Sequence, residues 1–119
     1  TYHHPADETI TSAVVPNQIK KNGYMYKVVK VSIGAFKNCE NLNWVVINKN
    51  IAAIGKYAFN GCYGMAEYHF LPTTPPTLAN TNALSGIQSD CIIYVPSGSL
   101  TAYQGATNWS TYASYMRGE

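Results

Sequence analysis

The sequence predicts a short β-rich solenoid: a coil of about 3–4 stacked rungs of about 23 residues, with a β-hairpin near its N-terminal end and a helical cap at its C-terminal end. Three observations carry that prediction. A set of apolar residues recurs at one fixed offset. Each copy ends in a short segment of alternating apolar residues. The last stretch of chain then changes to a helical spacing.

The repeat is visible in "IGAFKNCENLNWVVI" (Ile33 to Ile47) and "KYAFNGCYGMAEYHF" (Lys56 to Phe70), 23 residues apart. At that offset Ala35 and Phe36 map onto Ala58 and Phe59, Cys39 onto Cys62, and Leu42 onto Met65. Val45 maps onto Tyr68, Ile47 onto Phe70, and Val31 onto Ile54. A third, degenerate copy is "ALSGIQSDCIIYV", in which Ala83-Leu84 stands for Ala-Phe and Ile87 takes the cysteine position. Asp90 falls where Leu42 and Met65 sit. Upstream, "VVPNQI" resembles "VINKNI", with Val15 in the place of Ile47.

Alternation within each copy gives the short strands an inward face of Val45 and Ile47, Tyr68 and Phe70, and Ile93 and Val95. Phe36, Phe59 and Leu84 fill the interior from the opposite side, with Cys39, Cys62 and Ile87 forming a further ladder. A rung of this size cannot bury its apolar edge alone, so stacking is what creates a core.

At the N-terminal end, Asn22-Gly23 between "QIKK" and "YMYKVV" reads as a β-hairpin with a type I′ turn. At the other end, Ser97 or Ser99 is the expected N-cap of a helix from about Gly98 to Ala106, with further helical turns from Ser110. Leu100 with Tyr103, and Trp109, Tyr112 or Ala113, and Met116 hold the helical spacing that docks this cap on the last rung. "LPTTPPTLANTN" (Leu71 to Asn82) is a connection between rungs, two residues longer than its counterpart. The expected division is a flexible tail over residues 1–9, the solenoid over 10–96, and a cap of the same domain over 97–119.

These residues resemble a known repeat. "IGKYAFNGCYGMAEYHF" is similar to the BspA-like leucine-rich-repeat family, whose unit reads I-G-x-x-A-F-x-x-C-x-x-L-x-x-V-x-I. The segment from "TTPP" through "YVPSGSL" to the Tyr- and Trp-rich end resembles that family's carboxy-terminal rung and cap. Departures are small: Ser32 stands where the next copy has Gly55, and Leu84 replaces Phe. The resemblance implies a leucine-rich-repeat-like, right-handed solenoid. It also implies a secreted or cell-surface protein of a host-associated bacterium that contacts host matrix proteins, other cells or glycans.

Composition narrows the alternatives. Of the 119 residues 46% are hydrophobic and only 12% charged, about half the usual ~25%. A net charge of +2 with no basic stripe gives no reason to expect nucleic acid. No apolar run approaches the ~20 residues that cross a bilayer, so this segment is not expected to insert into a membrane.

Enzyme signatures are missing: there is no nucleophile elbow, dinucleotide fingerprint or P-loop, and no cofactor is expected. Cys39 and Cys62 fall on adjacent rungs, which brings a disulfide within reach. Ile87 in the same ladder favours plain packing instead, and no histidine is placed to activate either thiol. His3 and His4 beside Asp7 and Glu8 belong to the expected tail. His69 lies one residue off the inward pair and is expected to be a lone, solvent-facing side chain.

The residues between the ladder positions face outward: Trp44, Val46 and Asn48; Glu67, His69 and Leu71; Ile92 and Tyr94. They do not repeat, and for so weakly charged a chain they are unusually apolar and aromatic. Exposed apolar patches of this kind mark interaction sites. Trp44, Val46, Glu67, His69 and Tyr94 are therefore the candidate contacts for a protein or glycan on host or neighbouring cells. The alternative is a purely structural stalk or cap within a longer surface protein.

Overall fold

The computed structural model describes all residues from 28 to 119, and before them the backbone of three strands. The expected tail over residues 1–9 and the Asn22-Gly23 turn lie outside the described residues. In chain order the strands are β1 (Ser12–Val15), β2 (Gln18–Lys21), β3 (Tyr24–Lys27), β4 (Lys30–Val31) and β5 (Trp44–Ile47). They continue with β6 (Ala53–Ile54), β7 (Glu67–Phe70), β8 (Thr77–Leu78) and β9 (Ile92–Val95), followed by helix α1 (Leu100–Gly105) and β10 (Met116–Gly118).

Two parallel sheets organise the repeats. The larger has the order β1-β5-β7-β9-β10, with every neighbouring pair parallel. The smaller has the order β4-β6-β8, again parallel. Strands β2 and β3 pair antiparallel, Lys21 opposite Tyr24. The register places Val45 opposite Tyr68 and Tyr68 opposite Ile93, so equivalent side chains of successive copies lie at one level.

The Ala-Phe segments form a third line of rung-to-rung hydrogen bonds. Phe36 N donates to Ala58 O at 2.7 Å and Asn38 N to Asn60 O at 2.7 Å; Phe59 N donates to Ala83 O at 2.7 Å and Gly61 N to Ser85 O at 3.0 Å. Inside each turn the same bond recurs, from Cys39 N to Phe36 O, Cys62 N to Phe59 O and Ile87 N to Leu84 O, at 3.2–3.3 Å. The position just before Cys39, Cys62 and Ile87 is left-handed in each turn: Asn38 at φ 61°, Gly61 at 79° and Gly86 at 93°. Asn and Gly are the residues that adopt this region at least cost, which explains their place in "FKNC", "FNGC" and "LSGI".

The aromatic core runs along the stack. Phe36 and Phe59 lie parallel with ring centroids 5.2 Å apart, and Phe59 meets Tyr68 edge-on at 5.3 Å. Tyr68 stacks on Phe70, which meets Trp109 edge-on at 4.9 Å. Phe36, Cys39, Val45, Ile47, Phe59, Cys62, Tyr68, Phe70, Leu84, Ile93 and Val95 are all buried. Ile87 keeps the backbone hydrogen bond of its ladder, but its side chain, in the last turn of the stack, is only partly buried. Exposed Asp90 yields its level to the next residue, Cys91, which is buried.

The longer connection splits its excess. One extra residue lies between Phe70 and Leu78 compared with Ile47 and Ile54, and another between Leu78 and Leu84 compared with Ile54 and Phe59. Strand β8 sits between them and keeps the small sheet in register.

This connection is where the C-terminal segment docks. Tyr103 Oη donates to Pro72 O at 2.6 Å, Ser99 Oγ to Thr73 O at 2.6 Å, and Trp109 Nε1 to Pro76 O at 2.7 Å. Asn108 Nδ2 donates to Leu78 O at 2.7 Å, and Tyr112 Oη to Thr81 O. Carbonyls that no further rung covers thus receive side-chain donors, and the Trp and Tyr rings cover the core beneath.

Two expectations change here. Ser99 occupies the N-cap position of α1 but makes no capping bond, because its hydroxyl is taken by Thr73 O. The turns after Trp109 form a tight 3-10 helix (Trp109–Tyr115), and the chain then enters β10 alongside β9.

Replacing Phe59 by Ala is expected to cost about 3–5 kcal/mol in guanidinium unfolding, because a flat ring is removed between two others. Trp109→Phe keeps most of the packing but strands the Pro76 carbonyl. Its expected cost is about 1–3 kcal/mol, with an unchanged far-ultraviolet circular dichroism spectrum.

Candidate functional site

Alternation on the large sheet leaves an outward face. Ladder residues are buried on β5, β7 and β9, while the residues between them are partly or fully exposed. Trp44, 38% exposed, stands opposite Glu67 in the register, and Glu67 opposite Ile92. In the next row Val46 stands opposite His69, His69 opposite Tyr94, and Tyr94 opposite Arg117. Sheet pairing therefore brings Trp44, Val46, Glu67, His69 and Tyr94 onto one surface. Leu71 is exposed just beyond it. Asn48 is not part of it: this side chain is buried and its Oδ1 accepts from Asn50 N at 2.7 Å, because the chain turns inward after Ile47.

His69 is neither lone nor fully solvent-facing. Its Nε2 lies 2.8 Å from Glu67 Oε1, and its Nδ1 lies 3.0 Å from both carboxylate oxygens of Glu119. Tyr94 stacks on the imidazole at 4.8 Å between centroids, with the rings 15° from parallel. Carboxylates accept and do not donate, so only a doubly protonated imidazole satisfies both contacts. Burial by itself lowers the pKa of His69. The hydrogen bonds and charges of Glu119 and Glu67 outweigh it, and the net shift is upward from 6.5.

Sequence reasoning missed Arg117 and Glu119. They belong to a three-residue edge strand and its end, too short to show any alternation. Arg117 turns its Nη1 back onto Met116 O and Ser114 O, at 2.8 and 3.3 Å.

The described residues of the face offer aromatic planes and carboxylate acceptors. The three cysteines are buried, and none of them forms a disulfide. Cys62 Sγ donates to Phe36 O at 3.1 Å, and burial beside Cys39 pushes the Cys62 thiol up to about 12. Burial likewise pushes Cys91 up to about 12. Such thiols stay protonated and inert at neutral pH. Among the described residues no three His, Cys, Asp or Glu side chains are grouped to hold a metal ion; Glu67 and Glu119 lie on different ring nitrogens of His69. No helix among them is long and apolar enough to cross a membrane.

Residues 10–106 match, as 6 copies, the family described as BspA type Leucine rich repeat region. No curated protein matches the chain.

A disulfide-exchange thiol reagent at pH 8 is expected to leave all three cysteines of the folded protein unlabelled over minutes, and to label all three in concentrated guanidinium. Mass spectrometry counts the adducts.

Proposed function

Because the chain belongs to the BspA-type leucine-rich repeat family, we propose that it is a non-enzymatic recognition module, secreted or on the surface of a bacterial cell. Its ligand is a protein or glycan of host or neighbouring cells, held by static contact with the outward face of the large sheet. Trp44 and Tyr94 supply aromatic planes, Glu67 and His69 supply polar contacts, and Val46 fills the ground between them. The same reading makes residues 10–96 a right-handed solenoid and residues 97–119 its cap. The observation that supports it best is the exposed Trp44 beside Glu67, on a face whose letters differ from rung to rung while the core letters repeat. The family is generally non-enzymatic, and the protonated, buried thiols fit that class.

A second reading has its own support. His69 spends both ring nitrogens on this chain's own carboxylates, and the C-terminal cap binds the last connection with several side-chain donors. Both features suit a structural stalk or cap within a longer surface protein.

Trp44→Ala and Tyr94→Ala separate the two. On immobilised matrix proteins and a glycan array, recognition predicts a loss of about tenfold or more for a contact residue in an interface centre. Both variants must keep the wild-type circular dichroism spectrum. Unchanged binding by both folded variants removes the outward face from consideration.

A further inference from the structure

Both nitrogens of one imidazole face carboxylates from different parts of the chain. Glu67 is two residues away on the same central strand, whereas Glu119 follows the edge strand β10. We propose that His69 is a proton-operated clasp: as imidazolium it pins Glu119, and with it the end of β10, to the sheet, and on losing its proton it releases Glu119.

The geometry determines which partner leaves. A neutral imidazole has one N–H, so one ring nitrogen must present a lone pair to a carboxylate. Glu67 is held close by the strand it shares with His69, in the middle of a five-stranded sheet. Glu119 sits beyond the three residues of β10, at the sheet edge. There its backbone has two bonds, from Glu119 N to Val95 O at 2.9 Å and from Ser97 N to Glu119 O at 3.3 Å. The weaker anchorage is on the Glu119 side.

Among the described residues, the only charges acting on His69 are those of Glu119 and Glu67. From β9, Tyr94 presents a ring face, which favours a cation over a neutral ring. From β10, the Arg117 guanidinium is turned onto the carbonyls of Ser114 and Met116. From β5, Val46 is the residue opposite His69 and carries no titratable group. The upward displacement of the His69 pKa sets the sign: the stabilisation is fully present below 6.5 and is lost as pH rises through the higher folded-state value. This device does not depend on whether the outward face binds a partner.

Nuclear magnetic resonance tests it on the whole chain. The ring nitrogens of His69 are titrated between about pH 5 and 9, and the protection factor of the Glu119 amide is followed across the same range. For the wild type, the expected midpoint lies above 6.5, and protection falls about two- to fivefold through it, the size of a partly exposed ion pair. Glu119→Gln is expected to lower the midpoint towards 6.5 and to abolish the pH dependence of protection. His69→Gln is expected to abolish it as well. Wild-type protection that stays constant through the His69 titration, or a midpoint unmoved by Glu119→Gln, overturns the clasp.

Discussion

The rest of the structure depends on one constraint: each rung must offer its backbone groups to the next at the same levels. Amides of one Ala-Phe turn donate to carbonyls of the following turn, from Phe36 to Ala58 and from Phe59 to Ala83. The two parallel sheets obey the same rule on either side of that turn. Once this register holds, equal side chains meet: Phe36 lies flat on Phe59, and Val45 stands level with Tyr68 and Ile93. Gly55 shows how tightly it holds, since a Cβ there would stand 2.6 Å from the Ile33 backbone nitrogen of the preceding rung. Only a residue without that atom lets the backbones approach so closely.

A stack built this way has a last member, and its exposed carbonyls set the chemistry of the C-terminal segment. Tyr103, Trp109 and Tyr112 combine large apolar bodies with single donors at their tips, which suits them to cover a core and satisfy a carbonyl at once. The tyrosine and tryptophan content of this segment follows from that double task. Strand β10 does the equivalent job on the large sheet, extending it past β9 and carrying Glu119 to His69.

The core was legible in the sequence because its determinants are periodic. Phe36 and Phe59, Cys39 and Cys62, and Leu42 and Met65 share one offset, and each of these six is buried. Where period fails, so did the reading. Cys91 takes over a level one residue late because Asp90 cannot be buried, and no offset reveals that shift. Ser99 sits where an N-cap belongs, yet its hydroxyl bonds Thr73 O, a partner 26 residues away. Asn48 turns inward because the strand has already ended. The outward face was readable strand by strand from alternation. The link from His69 to Glu119 joins residues 50 positions apart through a three-residue strand and left no local trace.

The central claim is that the Ala-Phe turns are part of the stacked core's hydrogen-bonded frame and not loops laid over it. Native-state amide hydrogen exchange at Phe36, Asn38, Phe59 and Gly61 tests this most directly. These amides are expected to exchange with the amides of β5 and β7 as one cooperative group, reached only through global unfolding. Exchange of the turn amides about a hundredfold faster than the strands, under conditions where the strands stay protected, would contradict it.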